Sequence, residues 1–143
     1  MARYRVLVAD DHPTVLERVS EILSKDYDVV ATVGDGLAAV NAAATLLPDV
    51  VVLDVSMPVL SGFEAAARLI GFPRAPRIVF LTMHEDPAFV QAARHLGASG
   101  YVLKRTIGAH LLRAISLALE GQAVFPANGA LSAVSREVPS GSA

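Results

Sequence analysis

The sequence runs to 143 residues, 53% hydrophobic and 18% charged, with a net charge of -2 and no cysteine. That length suits one domain with a full core, the near-neutral charge gives no global pull toward nucleic acid, and the missing cysteines remove disulfides, thiolate metal sites and cysteine nucleophiles while leaving the redox compartment open. No apolar run reaches the roughly eighteen residues of a membrane helix, and Arg3 and Arg5 lead straight into a short strand-like run rather than a signal peptide, so a soluble cytoplasmic chain is expected, without a membrane partner.

Taken in chain order, the first element is an apolar run over Arg5–Ala9 that ends in Asp10 and Asp11. Pro13 suits a first helical turn, with Asp11 as a cap. Val15, Leu16, Val19, Ile22 and Leu23 then share one helical face, opposite Glu17, Arg18, Ser20, Glu21 and Ser24. A second strand is expected over 29–33, with Gly34 and Gly36 serving the turn after it, and a second helix over about 37–46. Val50–Leu53 is unbroken aliphatic and is followed by Asp54. A helix over Gly62–Ile70 comes next. The run 78–81 ends at Thr82, and Asp86–Pro87 starts a helix through Phe89 and Leu96 that Gly97 stops. Strand 101–103 precedes Lys104, and a last regular helix spans 108–120.

The first, third and fourth runs are nearly continuous aliphatics, as central parallel strands covered by helices on both faces require. Five strands alternating with five helices predict a single doubly wound α/β domain with right-handed crossovers. Beyond residue 120 the pattern weakens. One short helix over 126–136 and a flexible Ser- and Gly-rich tail over 138–143 are expected, with no pair of helices able to fill a major groove.

In such a fold ligands bind beyond the carboxyl ends of the strands, near the point where strand order reverses. Asp10, Asp11, Asp54, Thr82 and Lys104 all fall there, from four strand ends. Carboxylates held about 4 Å apart repel by about 4 kcal/mol at an effective dielectric near 20, which invites a divalent cation. Oxygen donors favour a hard ion, Mg²⁺ above all. A carboxylate can serve as nucleophile and become an aspartyl phosphate; phosphoryl transfer needs mainly positioning and charge neutralisation, which Lys104, as a point charge, and the Thr82 hydroxyl can supply. Each residue also has a plainer reading: capping for Asp10 and Asp11, a loop acid for Asp54, strand-end packing for Thr82, a solvated charge for Lys104. It is the combination that favours chemistry.

The stretches V-L-V-A-D-D-H-P, V-V-V-L-D-V-S-M-P-V-L-S-G, I-V-F-L-T-M-H and A-S-G-Y-V-L-K together resemble the motifs of a two-component response regulator receiver domain, closest to the NarL/FixJ type, over roughly residues 4–120. The resemblance implies a flavodoxin-like sheet of order 2-1-3-4-5, with residues 1–120 as receiver and 121–143 as an extension. It implies that Asp54 accepts a phosphoryl group from a sensor histidine kinase. Asp10, Asp11, Asp54 and the backbone carbonyl of Ser56 would hold Mg²⁺. Thr82 would move toward the phosphoryl group, with Tyr101 as a switch residue that swings inward. Ser56 and His84 match positions that tune the lifetime of the phosphoryl group, and Pro58 and Gly62 fit a tight loop after the third strand. Related receivers often pair through their first and last helices, with Leu117 a candidate contact here.

Two positions depart from the family pattern. Arg105 follows Lys104 where many receivers have a cis-linked proline, so a trans peptide is expected. Met83 is bulkier than the small residue common after the threonine, and would narrow access to the site. Receivers of this type usually continue into a helix-turn-helix domain, so this chain is expected to be a stand-alone receiver or one lacking its output domain, binding no nucleic acid itself. The resemblance implies a phosphorylation-activated switch that promotes only its own phosphorylation and dephosphorylation. The alternatives are a phosphate-independent binding module and an aspartyl-phosphate hydrolase; the latter needs a second acid where Ser56 stands. The histidines, His12, His84, His95 and His110, show no spacing of a metal site, and His12 belongs to the helix start.

Overall fold

The computed structural model describes residues 3–127 and 130–135. In chain order these form β1 (Arg5–Ala9), α1 (Pro13–Leu23), β2 (Asp28–Val33), α2 (Gly36–Leu46), β3 (Val50–Leu53), α3 (Gly62–Ile70), β4 (Arg77–Thr82), α4 (Pro87–Leu96), β5 (Gly100–Leu103), α5 (Ile107–Leu119), β6 (Gln122–Ala127) and β7 (Ala130–Ser135). A short 3-10 turn at Lys104–Thr106 joins β5 to α5. The sheet order is β2-β1-β3-β4-β5-β6-β7. The expected 2-1-3-4-5 arrangement is therefore present, all parallel, with β6 added parallel to β5 and β7 antiparallel to β6.

The five-stranded expectation is thus corrected at its far edge. The short helix expected over 126–136 is replaced by the end of β6 and by β7. Val124 decides this: its amide donates to the Ser99 carbonyl at 3.0 Å, and its side chain is fully buried. An edge strand of a parallel sheet offers unpaired backbone groups, and covering them outweighs a weak local helix pattern. Residues 138–143, read as a flexible tail, lie outside the described residues.

Alternate strand residues feed two core layers, which is why the runs Val6–Ala9, Val50–Leu53 and Ile78–Leu81 carry no polar residue. Leu7, Val51, Leu53, Ile78, Phe80 and Tyr101 pack under α2, α3 and α4. Val6, Val8, Val50, Val52, Val79 and Val102 pack under α1 and α5. Each such aliphatic contributes about 1.5–3 kcal/mol when fully buried. Leu117 is half-buried against the α1–α5 layer, so its side chain belongs partly to the core rather than to a free helix face. Among the described residues no helix is long and apolar enough to cross a membrane.

The helix starts carry the site. Asp11 does not cap α1: His12 occupies the cap position, without a side-chain hydrogen bond there, and Pro13 opens the helix. This leaves the Asp11 carboxylate available to the strand ends. Asp86 caps α4 as expected, accepting from Ala88 N at 2.8 Å. Ser61 and Glu64 form a reciprocal capping box on α3, a Ser-x-x-Glu signal that the sequence displays. Gly36 does more than serve a turn. A Cβ there would lie 2.2 Å from the Leu60 carbonyl oxygen, so α2 packs directly onto the β3–α3 loop.

In that loop Val59 has φ 69 and is 71% exposed. A β-branched residue in the left-handed region is strained, by about 1–2 kcal/mol. Asn tolerates that conformation, and little apolar contact is lost at so exposed a position. Val59→Asn is therefore expected to stabilise the protein by about 1 kcal/mol, read as a higher urea midpoint with unchanged slope; an unchanged or lower midpoint would show the strain to be absent.

Candidate functional site

Strand order reverses between β1 and β3, and the residues following those two strands stand at the centre of the site. Asp10, just past β1, is 1% exposed, and Asp54, just past β3, is 4% exposed. Lys104 reaches in from the turn after β5. Its Nζ lies 2.7 Å from Asp10 Oδ2 and donates to Asp54 Oδ2 at 3.1 Å. One ammonium group therefore bridges two nearly buried carboxylates. Asp11 is more exposed and completes an acidic edge: Asp10, Asp11, His12 and Asp54 offer ligand atoms all within 4.8 Å of one another.

His12 is the member of this group that sequence reasoning missed. Its Nδ1 lies 3.0 Å from Asp10 Oδ1 and 3.1 Å from Asp11 Oδ1, and 3.5 Å from Lys104 Nζ. The available signal was adjacency, Asp-Asp-His at a strand-to-helix turn, where the chain must fold the imidazole back over the two acids. His12 N also donates to Asp10 Oδ1 at 2.8 Å. Asp10 Oδ2 has the Lys104 charge beside it but no aligned hydrogen-bond donor among the described residues.

The electrostatics follow from burial. Desolvation, then the Asp10 charge, pushes the Asp54 carboxyl above its ordinary value, while Lys104 and the Ser56 amide pull the other way. Burial alone would lower the Lys104 pKa, but its contacts with Asp10 and Asp54 outweigh that and raise it. The ammonium is firmly charged; the carboxylates gather more negative charge than it cancels.

The other expected residues surround this centre. Thr82, the last residue of β4, is fully buried and its Oγ1 accepts from His84 N at 3.2 Å. Tyr101 on β5 is fully buried, its hydroxyl donating to the His84 carbonyl at 2.7 Å. Its pKa is pushed up to about 12, by burial first and then by Asp86 and Asp54, so it remains a donor. The Tyr101 ring thus already lies inward. Ser56 N donates weakly to Asp54 Oδ1 at 3.4 Å, and the Ser56 hydroxyl meets His84 Nε2 at 2.7 Å. Met83 is 74% exposed, pointing outward rather than packing into the site. Among the described residues no peptide is cis, so Lys104–Arg105 is trans as expected. Arg105 instead pairs with Glu85 on the neighbouring loop, at 2.7 Å.

The arrangement can hold a cation on oxygen ligands and present one carboxylate, Asp54, to an electrophile beside a fixed ammonium group. Comparison with known proteins bears on this directly. The family model for the response regulator receiver domain matches residues 6–116. The "Probable transcriptional regulatory protein NarL" of Mycobacterium tuberculosis is 34% identical over 124 residues, covering 85% of this chain and 57% of that protein. The transcriptional regulatory protein YxjL of Bacillus subtilis is 35% identical over 125 residues, covering 86% and 57%. The chain thus spans a little over half the length of these curated relatives. Among solved structures, the signal receiver domain of the M. tuberculosis NarL response regulator superposes with a TM-score of 0.80 at 33% identity, covering 85% of this chain and 99% of that one. The isolated receiver domain of RcsB from Salmonella enterica serovar Typhimurium, in the presence of the phosphomimetic BeF3-, gives 0.81 at 28% identity, covering 89% and 96%.

Proposed function

The chain belongs to the response regulator receiver family, and on that premise we propose that it is a signalling switch thrown by phosphorylation of Asp54, with a sensor histidine kinase as the donor. The observation that carries this reading is the Lys104 bridge: one ammonium group contacting both Asp10 and Asp54, with Asp11 within ligand distance of both acids.

The donor set fits Mg²⁺. Three carboxylates converge, and the single Lys104 ammonium between Asp10 and Asp54 leaves their negative charge in excess. Asp10, Asp11, Asp54 and the Ser56 carbonyl would hold the ion, which supplies positive charge beside the phosphoryl oxygens. The chain's own groups do the rest. An Asp54 oxygen forms a bond to phosphorus while the phosphorus–nitrogen bond of the phosphohistidine breaks, and the departing imidazole keeps the electron pair and takes a proton from solvent. Lys104 balances charge on the transferring group without moving far, because it already sits 3.1 Å from Asp54.

Thr82 and Tyr101 then carry the change outward. Both hydroxyls are tied to the backbone of His84, Thr82 at the amide and Tyr101 at the carbonyl. If Thr82 turns toward the phosphoryl group it releases that amide, and the β4–α4 loop repacks against Tyr101. Phosphorylation thereby biases a two-state surface around α4 and β5. Pairing of two copies through α1 and α5 belongs to the same reading, as does a cytoplasmic location.

Incubation with Mg²⁺ and acetyl phosphate tests it. The protein is expected to gain the mass of one phosphoryl group, stable to acid and labile to base, on the peptide containing Asp54. No adduct, or an adduct on another residue, would overturn the assignment.

A further inference from the structure

One ion pair joins the loop after β4 to the turn after β5. Arg105, in that turn, meets both carboxylate oxygens of Glu85: its Nη2 donates to Oε1 at 2.7 Å and its Nε to Oε2 at 3.3 Å. Such a fork fixes direction as well as distance, which a single contact from an ammonium group would not. Each end of the fork adjoins a residue that bears on the site. Glu85 follows His84, whose backbone amide and carbonyl are tied to Thr82 and Tyr101. Arg105 follows Lys104, whose Nζ spans Asp10 and Asp54. The turn itself is lightly held. Lys104–Thr106 is a single 3-10 turn with no buried residue and no side-chain cap. Thr106 Oγ1 donates to the Leu103 carbonyl at 3.1 Å and meets His110 Nδ1 at 3.1 Å, contacts that stay between the end of β5 and the first turn of α5. Among the described residues, the side-chain contacts that tie this turn to other loops are those of Lys104 and the Arg105–Glu85 fork.

We propose that Arg105 is a positioning residue: by clasping Glu85 it fixes the turn after β5, so that the Lys104 ammonium stays across both Asp10 and Asp54. The inference rests on the switch reading above. Lysine carries a point charge on a flexible four-carbon stem. Where its backbone stands therefore decides whether the ammonium spans two acids or falls back on one. The peptide after Lys104 is trans and its neighbour is not proline, so ring geometry does not stiffen this turn, and the fork supplies the anchor from outside. Two opposite consequences follow. The ammonium balances charge on the transferring phosphoryl group, so loosening it slows acceptance by Asp54. The same ammonium neutralises the acids that draw in a cation, so loosening it tightens Mg²⁺ binding. A general loosening of the site would weaken both.

The side chains of the pair are 57% and 58% exposed, so solvent screens it and the expected effect is about twofold to fivefold. Glu85→Gln is the decisive variant, because it opens the fork and leaves the guanidinium in place. Its initial rate of labelling by acetyl phosphate, read by intact mass, is expected to fall by that factor. Its Mg²⁺ affinity, from calorimetric titration without phosphodonor, is expected to rise by a similar one. A guanidinium acting only through its field predicts the reverse, since removing a negative charge would speed an anionic donor and weaken Mg²⁺ binding. Arg105→Gln is expected to match Glu85→Gln in rate. The exchanged pair, Glu85→Arg with Arg105→Glu, should return both readouts toward wild type. An unchanged or faster rate for Glu85→Gln overturns the proposal, and so does Mg²⁺ binding that is unchanged or weakens with the rate. If wild type takes no label, the Asp54 reading itself fails, and the Mg²⁺ titration decides the role of Arg105 separately.

Discussion

Asp54→Asn is expected to lose all phosphoryl acceptance while becoming more stable than wild type in the absence of metal. Under Mg²⁺ and acetyl phosphate, intact mass should show a phosphoryl adduct on wild type and none on the variant, because the neutral amide oxygen is a far weaker nucleophile than a carboxylate. The stability change has the opposite sign for an electrostatic reason. Asp54 is 4% exposed, and burial followed by the Asp10 charge raises its pKa in the folded state. A group whose folded pKa is raised contributes stability at low pH, and loses it as pH rises through that value. At neutral pH the ionised carboxylate therefore burdens the fold. Asn removes that burden and leaves Lys104 its contact with Asp10 at 2.7 Å. In EDTA at neutral pH the variant should gain about 1 kcal/mol or more in urea unfolding, and the gain should shrink as pH falls and wild type takes up the proton. Mg²⁺ should narrow the gap from the other side, by stabilising wild type more than the variant. A variant less stable than wild type in EDTA would mean that the Lys104–Asp54 contact outweighs the desolvation of Asp54.

Gly62→Ala is expected to cost roughly 3 kcal/mol or more, among the largest effects of any single methyl group in this molecule. A Cβ at position 62 would lie 2.0 Å from the Asp54 carbonyl oxygen and 2.8 Å from both the Asp54 carbonyl carbon and Val55 Cα. All three are backbone atoms at the end of a central strand, so no side chain can swing aside. Relief requires α3 to back away from β3, which breaks the hydrogen bond from Gly62 N to Val55 O at 2.7 Å. The same movement displaces the peptide that carries Asp54, so phosphorylation should fall together with stability. Gly34→Ala provides the contrast. Nothing lies within 4 Å of a Cβ there, and its urea midpoint should stay close to wild type. Similar midpoints for the two variants would show that the contact at Gly62 relaxes cheaply.

The parts of the fold that local chemistry controls were legible in the sequence. Arg5–Ala9, Val50–Leu53 and Gly62–Ile70 have the same bounds in the structure as in the sequence reading, because unbroken aliphatic runs and a helical face admit few alternatives. Asp86–Pro87 started α4 and Gly97 ended it, since caps act within one turn. At the far end, two local signals conflict. Asn128–Gly129 between two apolar stretches is a hairpin signal, and it stands inside the weak helical pattern over 126–136. What separates the two is the open edge of β5, a partner no local window contains.

The site divides along the same line. Chain order and strand ends determined which residues gather at one edge of the sheet: Asp10, Asp11, Asp54, Thr82 and Lys104. Only the tertiary structure decided what each atom touches, including Lys104 across both Asp10 and Asp54, His12 turned back onto the two acids, and His84 pinned between Ser56 and Phe89. The reason is one of range. Strand and helix periods are set by neighbours a few residues away, whereas these contacts join residues as far apart in the chain as Asp10 and Lys104, and their distances depend on how tightly whole layers pack.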